Sequence, residues 1–200
     1  MTKERDPAKT RRIILQAAFD SFHRHGFHAS GLADILASTG VTKGALYHHF
    51  PNKLALGQAV VDELVGDYVA EWWLNPLDGM DDPIGGLAQV IQRRLSKDFP
   101  AILSLGCPLN NLAQEMAGVD KGMRQHIEGV YRFWRKGLAR ALRRGQQTGK
   151  VGANVDTDEA AAFIVAAIEG AFGQAKAAQS LDIFSECMAG LSGYLKTLRP

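Results

Sequence analysis

Apolar residues recur at helical spacing in Ile13, Ile14, Ala17, Ala18, Phe19 and Phe22, which predicts a helix running to about His25. Asp6-Pro7 offers an N-cap followed by proline in the first turn, and Gly26 suits the left-handed position that closes a helix. Ser30 is placed to cap a second helix with Leu32, Ile35 and Leu36 facing inward. Thr39-Gly40 makes a turn, and Thr42 to His48 form a third helix. The three share a small predicted core of Phe19, Phe22, Leu32, Ile35, Val41, Leu46 and Phe50.

Past Pro51-Asn52, the series Leu54, Leu56, Val60, Val61, Leu64, Val65, Tyr68 and Val69 predicts one long connecting helix that reaches Trp72 or Trp73. Asn75-Pro76 and Asp78-Gly79 break it, and Asp82-Pro83 restarts a helix through Leu87, Val90, Ile91 and Leu95. Shorter pieces follow around 101–105 and 108–116. A long helix from about Asp120 to Gln147 sets Ile127, Val130, Trp134, Leu138 and Leu142 against an arginine-rich opposite side. Asp156 to Glu159 resembles a capping box that opens an Ala-, Ile- and Phe-rich helix ending near Ala178, and Ile183 to Leu198 gives the last. No strand alternation is visible, so the expected architecture is all-α. It comprises a three-helix domain at 1–52 joined by the connecting helix to a helical domain at 53–200.

Charge is unevenly spread over this pattern. Residues 1 to 55 carry eight Lys/Arg against four Asp/Glu within a chain whose net charge is +2, and five of the six histidines lie there. An anionic partner is therefore expected at the N-terminal end. The second and third short helices, with a glycine turn between them, have the form of a helix-turn-helix, whose second helix enters the major groove of B-DNA. Thr42, Lys43, Gly44 and Ala45 suit base edges. Lys43 is a donor for guanine, Gly44 permits close approach, and Ala45 offers a methyl contact for thymine. Tyr47 and His48 are candidate phosphate or base contacts, with Lys53 and Ser30 bracketing the backbone. His48 is expected to face outward and His49 to pack toward Phe50.

These residues resemble the N-terminal domain of the TetR family of bacterial transcriptional repressors. The match runs from about Thr10 to Leu56 through Gly26-Phe27, Asp34-Ile35, Gly40-Val41, Lys43-Gly44, Leu46-Tyr47, His49-Phe50 and Lys53. Gly31, Ala33 and Leu36 depart from the family pattern. The resemblance implies a homodimeric repressor on a near-palindromic operator, with a C-terminal domain that binds a small-molecule effector and thereby lowers operator affinity.

Gly106-Cys107-Pro108 and the following LNNLAQEM resemble the effector domain of one subgroup, in which release by cysteine modification is the alternative to ligand binding. A thiol at a helix N-terminus has its thiolate favoured by the dipole, whereas a lone cysteine is more often a small apolar core residue. Candidate effector contacts are Trp72, Phe99, Leu103, Cys107, Asn111, Phe133 and Phe172, and most such aromatics elsewhere are simply core. Ala and Gly at 166, 167, 170, 171, 173 and 175 let helices approach closely. Together with Leu138, Leu142, Ile164, Ile168, Ala171 and Ala175 they suggest a four-helix dimer interface of the kind the family forms. His23, His25 and His28 lack the companions of a zinc site, and no nucleophile with its base is recognisable, so neither metal, cofactor nor enzymatic activity is expected. The longest apolar run, Ala160 to Ile168, is too short to span a bilayer, no secretory signal opens the chain, and two distant cysteines fit a reducing cytoplasm.

Overall fold

The computed structural model describes residues 6–97 and 104–200. Nine helices and no strand are found among the described residues. α1 (Pro7–His25) starts where expected, with the Asp6 carboxylate accepting from the N–H groups of Ala8 and Lys9 at 3.0 and 3.1 Å. It ends at Gly26, whose φ of +84° is open to glycine and strained for other residues. α2 (Leu32–Ala37) and α3 (Lys43–His49) follow, and the Thr42 hydroxyl caps α3 by accepting from Ala45 N–H at 3.3 Å. The cap expected from Ser30 is not made. Gly31 occupies that position, and the Ser30 hydroxyl turns inward to donate to the Gly26 carbonyl at 2.7 Å.

α4 is a composite rather than the single regular helix anticipated. Lys53–Ala59 is α-helical, Val60–Val65 widens to π geometry, Gly66–Val69 returns to α, and Ala70–Leu74 widens again before the 3₁₀ turn Asn75–Leu77. Its buried stripe of Val61, Val65, Val69 and Trp73 repeats every four residues. On a 3.6-residue helix such a stripe drifts by about 40° per step, and wider turns take up that drift.

α5 (Pro83–Lys97), α6 (Pro108–Met116), α7 (Lys121–Gln147), α8 (Thr157–Ala178) and α9 (Leu181–Thr197) complete the chain. Asp156 caps α8 through the N–H groups of Asp158 and Glu159.

Two compact units result. One comprises residues 1–67 with 111–130, and the other residues 68–110 with 131–200. The first takes in the start of α4, the end of α6 and the start of α7, all of which the sequence reading placed with the C-terminal domain. Its core includes Ile14, Ala18, Phe22, Phe27, Ile35, Leu46 and Phe50, with Leu56, Val60 and Met123 from the later segments. Gly57 of α4 is required here by close approach, because a Cβ would lie 2.6 Å from the Phe27 ring and 2.7 Å from Met123. The second unit is built on α8 and α9, whose mutual face buries Phe172 and Phe184 with ring centroids 5.1 Å apart.

Candidate nucleic-acid interface

α3 is fixed by one side chain. Leu46 is completely buried, the helical repeat turns Gly44, Tyr47 and His48 away from it, and Lys43 stands at the open first turn, so that all four are exposed. Tyr47 is 45% exposed although it is aromatic, and Lys43 Nζ lies 5.9 Å from its ring centre one turn earlier on the same face. A Cβ built on Gly44 meets nothing within 4 Å, so nothing in the protomer requires glycine there. Thr42 is exposed and Ala45 half-buried at the start of the same face. His48 points outward while His49 is half-buried, its ring 6.3 Å from that of Phe50. The stripe is thus an open surface of one cation, two polar rings and a hydroxyl, with room for a groove wall to approach the backbone at Gly44.

The proposed flanking contacts look different. Ser30 is only 3% exposed and its hydroxyl is committed to Gly26 and Ser21, the latter donating at 2.8 Å, so it is a loop lock and not a free phosphate donor. Lys53 lies folded back, its Nζ donating to the His28 carbonyl at 3.2 Å and standing 4.7 Å from the Phe27 ring centre. Burial lowers its pKa, against the opposing pull of Glu115. Two residues with no signal in the sequence hold this region. Glu115 of α6 accepts from the Phe27 and His28 N–H groups at 2.7 and 2.6 Å. Arg11 forms a two-pronged pair with Glu63, both contacts at 2.6 Å, and lies 5.2 Å from the Phe50 ring centre. Partners separated by 88 and 52 positions leave no periodic trace.

In the second unit, Cys107 precedes α6 and is buried, with Sγ donating to Glu169 Oε1 at 3.2 Å. Burial, then the neighbouring Glu169 charge, raise its pKa well above the usual thiol range and outweigh the N–H groups of Asn110 and Leu109 that pull it down. The helix-dipole effect is therefore present but loses, and the thiol is neutral rather than an activated thiolate. Glu169 is 7% exposed. Burial raises its pKa to about 7, and its Oε2 has no hydrogen-bond partner among the described residues.

The described candidate effector residues stand in different local settings. Trp72 is half-buried and stacked on Tyr68 with centroids 4.8 Å apart, Phe133 stands 43% exposed, Phe172 is sealed against Phe184, and Asn111 falls in the first unit. Phe99 and Leu103 lie outside the described residues.

The expected dimer residues need a clearer correction. Leu138, Leu142, Ile164, Ile168, Ala171 and Ala175 are all buried inside the protomer. Ala171 nonetheless lines, with Phe163, Gly170, Gln174, Cys187 and Gly190, a groove of 410 Å³ that α8 and α9 leave open. Helical spacing located the apolar residues of α8 correctly but, in a helix apolar on most sides, could not say which side faces out.

Residues 14–60 match a family model described as bacterial regulatory proteins, tetR family, and residues 87–191 match one described as tetracyclin repressor-like, C-terminal domain. The chain is 27% identical over 165 residues to the HTH-type transcriptional repressor DhaR of Mycobacterium sp. (strain GP1), covering 80% of this chain and 79% of that protein. It is 32% identical over 177 residues to the A-factor receptor protein of Streptomyces griseus, covering 85% of this chain but 56% of that longer protein. A crystal structure of a TetR transcriptional regulator from Chloroflexus aurantiacus superposes with a TM-score of 0.80 at 26% identity, over 95% of this chain and 96% of that one.

Proposed function

The chain belongs to the TetR family of DNA-binding transcriptional regulators, and from that premise we propose a homodimeric repressor that reads a near-palindromic operator with α3 and is released by a small-molecule effector. Thr42, Lys43, Gly44 and Ala45 face base edges in this reading, and Tyr47 and His48 contact phosphates beside them. The observation that carries it is the empty space above Gly44 on a face whose other residues are a cation and hydrogen-bonding rings. A protomer gains nothing by keeping glycine in a helix there, at a cost of about 1 kcal/mol against alanine, whereas a groove wall needs the room.

Two copies would meet through the exposed Phe163–Gly170–Gly190 face of α8 and α9, placing their α3 helices one DNA turn apart, roughly 34–36 Å. The effector acts in the C-terminal domain, and ligand binding rather than thiol chemistry is favoured because Cys107 is buried and protonated. No described helix is long and apolar enough to cross a membrane, and a DNA reader of this kind works in the cytoplasm.

The test is selection of a duplex from a random-sequence pool by the full-length protein, followed by titration with Lys43→Ala. Recovery of an inverted repeat, with Lys43→Ala weakening it by about 1–3 kcal/mol and relaxing one base preference per half-site, is the expected result. Selection that returns no common sequence, or equal losses on every duplex, would refute the reading role of α3.

A further inference from the structure

We propose that Glu115 is a positioning residue for DNA binding: its carboxylate on α6 fixes the loop between α1 and α2 and, through Phe27 and His28, the place of Lys53. The Phe27 and His28 N–H groups fall where α1 has ended and α2 has not begun, so helical carbonyls do not serve them. Glu115 takes both, one on each oxygen, at 2.7 and 2.6 Å. Charge-assisted bonds to two successive peptide units hold the direction of the chain, which a single bond would leave free to swivel.

The neighbouring residues are arranged around this contact. A Cβ at Gly26 would lie 3.0 Å from Glu115 Oε2, so glycine serves the positive φ and the carboxylate's approach together. The Phe27 ring is buried against Gly57 of α4 and carries the Lys53 ammonium on its face. His28 gives its N–H to Glu115 and its carbonyl to Lys53. Ser30, sealed against Gly26 and Ser21, fixes the far end of the loop, one residue before the N-cap of α2. The carboxylate therefore sets where α2 begins and where Lys53 is stored before it meets a phosphate. The Lys53 step rests on the DNA-contact reading above, whereas the loop clamp does not.

The experiment compares full-length wild type, Glu115→Gln, Glu115→Ala, Lys53→Ala and the Glu115→Ala/Lys53→Ala double variant. Amide hydrogen exchange is followed without DNA, and affinity is measured for the duplex selected from the random pool. In Glu115→Ala, exchange at Phe27 and His28 is expected to quicken at least about tenfold, the factor that follows from losing one net hydrogen bond at each amide, while α8 amides keep their rates. Glu115→Gln, with one acceptor oxygen and an NH₂ group facing the second N–H, falls between. Affinity is expected to drop about tenfold in Glu115→Ala and in Lys53→Ala, and the double variant should be little weaker than Lys53→Ala alone, since the clamp acts through Lys53.

Unchanged exchange at the two amides in either Glu115 variant overturns the clamp. Faster exchange with additive affinity losses overturns its action through Lys53, because a merely structural role weakens binding whether or not Lys53 is present. Lys53→Ala with full affinity removes the phosphate contact itself and leaves the clamp to stand or fall on exchange. Should Glu115→Ala fail to fold, Glu115→Gln carries both readouts.

Discussion

α3 and α8 carry the protein's two proposed surfaces, and they are built in opposite ways. α3 has one fully buried anchor, Leu46, and turns its chemistry to solvent, so that its functional side chains contribute almost nothing to folding. α8 is apolar on most sides, buries Ile164, Ile168 and Phe172 in the protomer, and leaves Phe163 and a run of small residues along the open groove. The lesson concerns separability. Changes on the outward face of α3 should alter binding and leave stability alone, whereas along α8 one residue separates a folding defect from an assembly defect.

The largest effect follows from that contrast. A Cβ at Gly170 meets nothing within 4 Å, so Gly170→Arg fits the protomer, but across a two-fold interface it sets unpaired charges face to face. Dimerisation should weaken by about 3–5 kcal/mol, read as monomer by light scattering with the helical signal intact. Ile164→Ala, six positions earlier and buried, should instead lower unfolding stability by about 2–5 kcal/mol by leaving a cavity. If Gly170→Arg remains dimeric, or if both variants lose only stability, the exposed groove is not the interface.

These differences also decide how much of each surface is legible in the sequence. The α3 surface was legible because a short amphipathic helix with a single core leucine turns Gly44, Tyr47 and His48 outward and leaves Lys43 at its open first turn. The helix order was legible from the caps at Asp6 and Asp156 and from the breaks at Gly26 and Asn75-Pro76. The wide turns of α4 were not, since a four-residue stripe of valines looks much like an ordinary apolar face. The α8 interface misled because composition marks a close-packing helix without assigning its sides. Ser30, Glu115 and Arg11 were opaque for another reason: each is defined by a tertiary partner, and a serine or a carboxylate has the same local signature whether it meets water, a phosphate or a backbone N–H.

Buried charge in the second unit gives the next effect. Burial raises Glu169 to about 7 in the folded protein, against 4.5 for the ordinary group. Between those values the folded state keeps a proton that the unfolded chain has released. Stability therefore falls as pH rises from about 4.5 to 7 and levels off above, by on the order of 2–3 kcal/mol from this group. Urea midpoints at pH 5 and pH 8 should separate for the native chain, and Glu169→Gln should reduce the separation. A Glu169→Gln variant that loses more stability than the native chain between these pH values would contradict the sign.

The smallest effect tests the other side of the comparison, that ionic contacts on the reading unit do little for folding. Arg11 and Glu63 meet at 2.6 Å on both prongs, a geometry that invites a large assignment of energy. Their side chains are 37% and 43% exposed, however, and water screens most of the attraction. The Arg11 hydrogen bond holds the Glu63 carboxylate below its usual range, so the pair's contribution is present above the ordinary carboxylate value and is lost as pH falls through the lower one. Discounted for exposure, it amounts to a few tenths of a kcal/mol, and Arg11→Gln should lower Tm by about 1 °C at pH 7, less in high salt. The guanidinium also covers the Phe50 ring, so part of any loss is packing, which salt does not screen. A fall well beyond this, unchanged by salt, would assign the energy to that ring contact and make Arg11 a structural element of the reading unit.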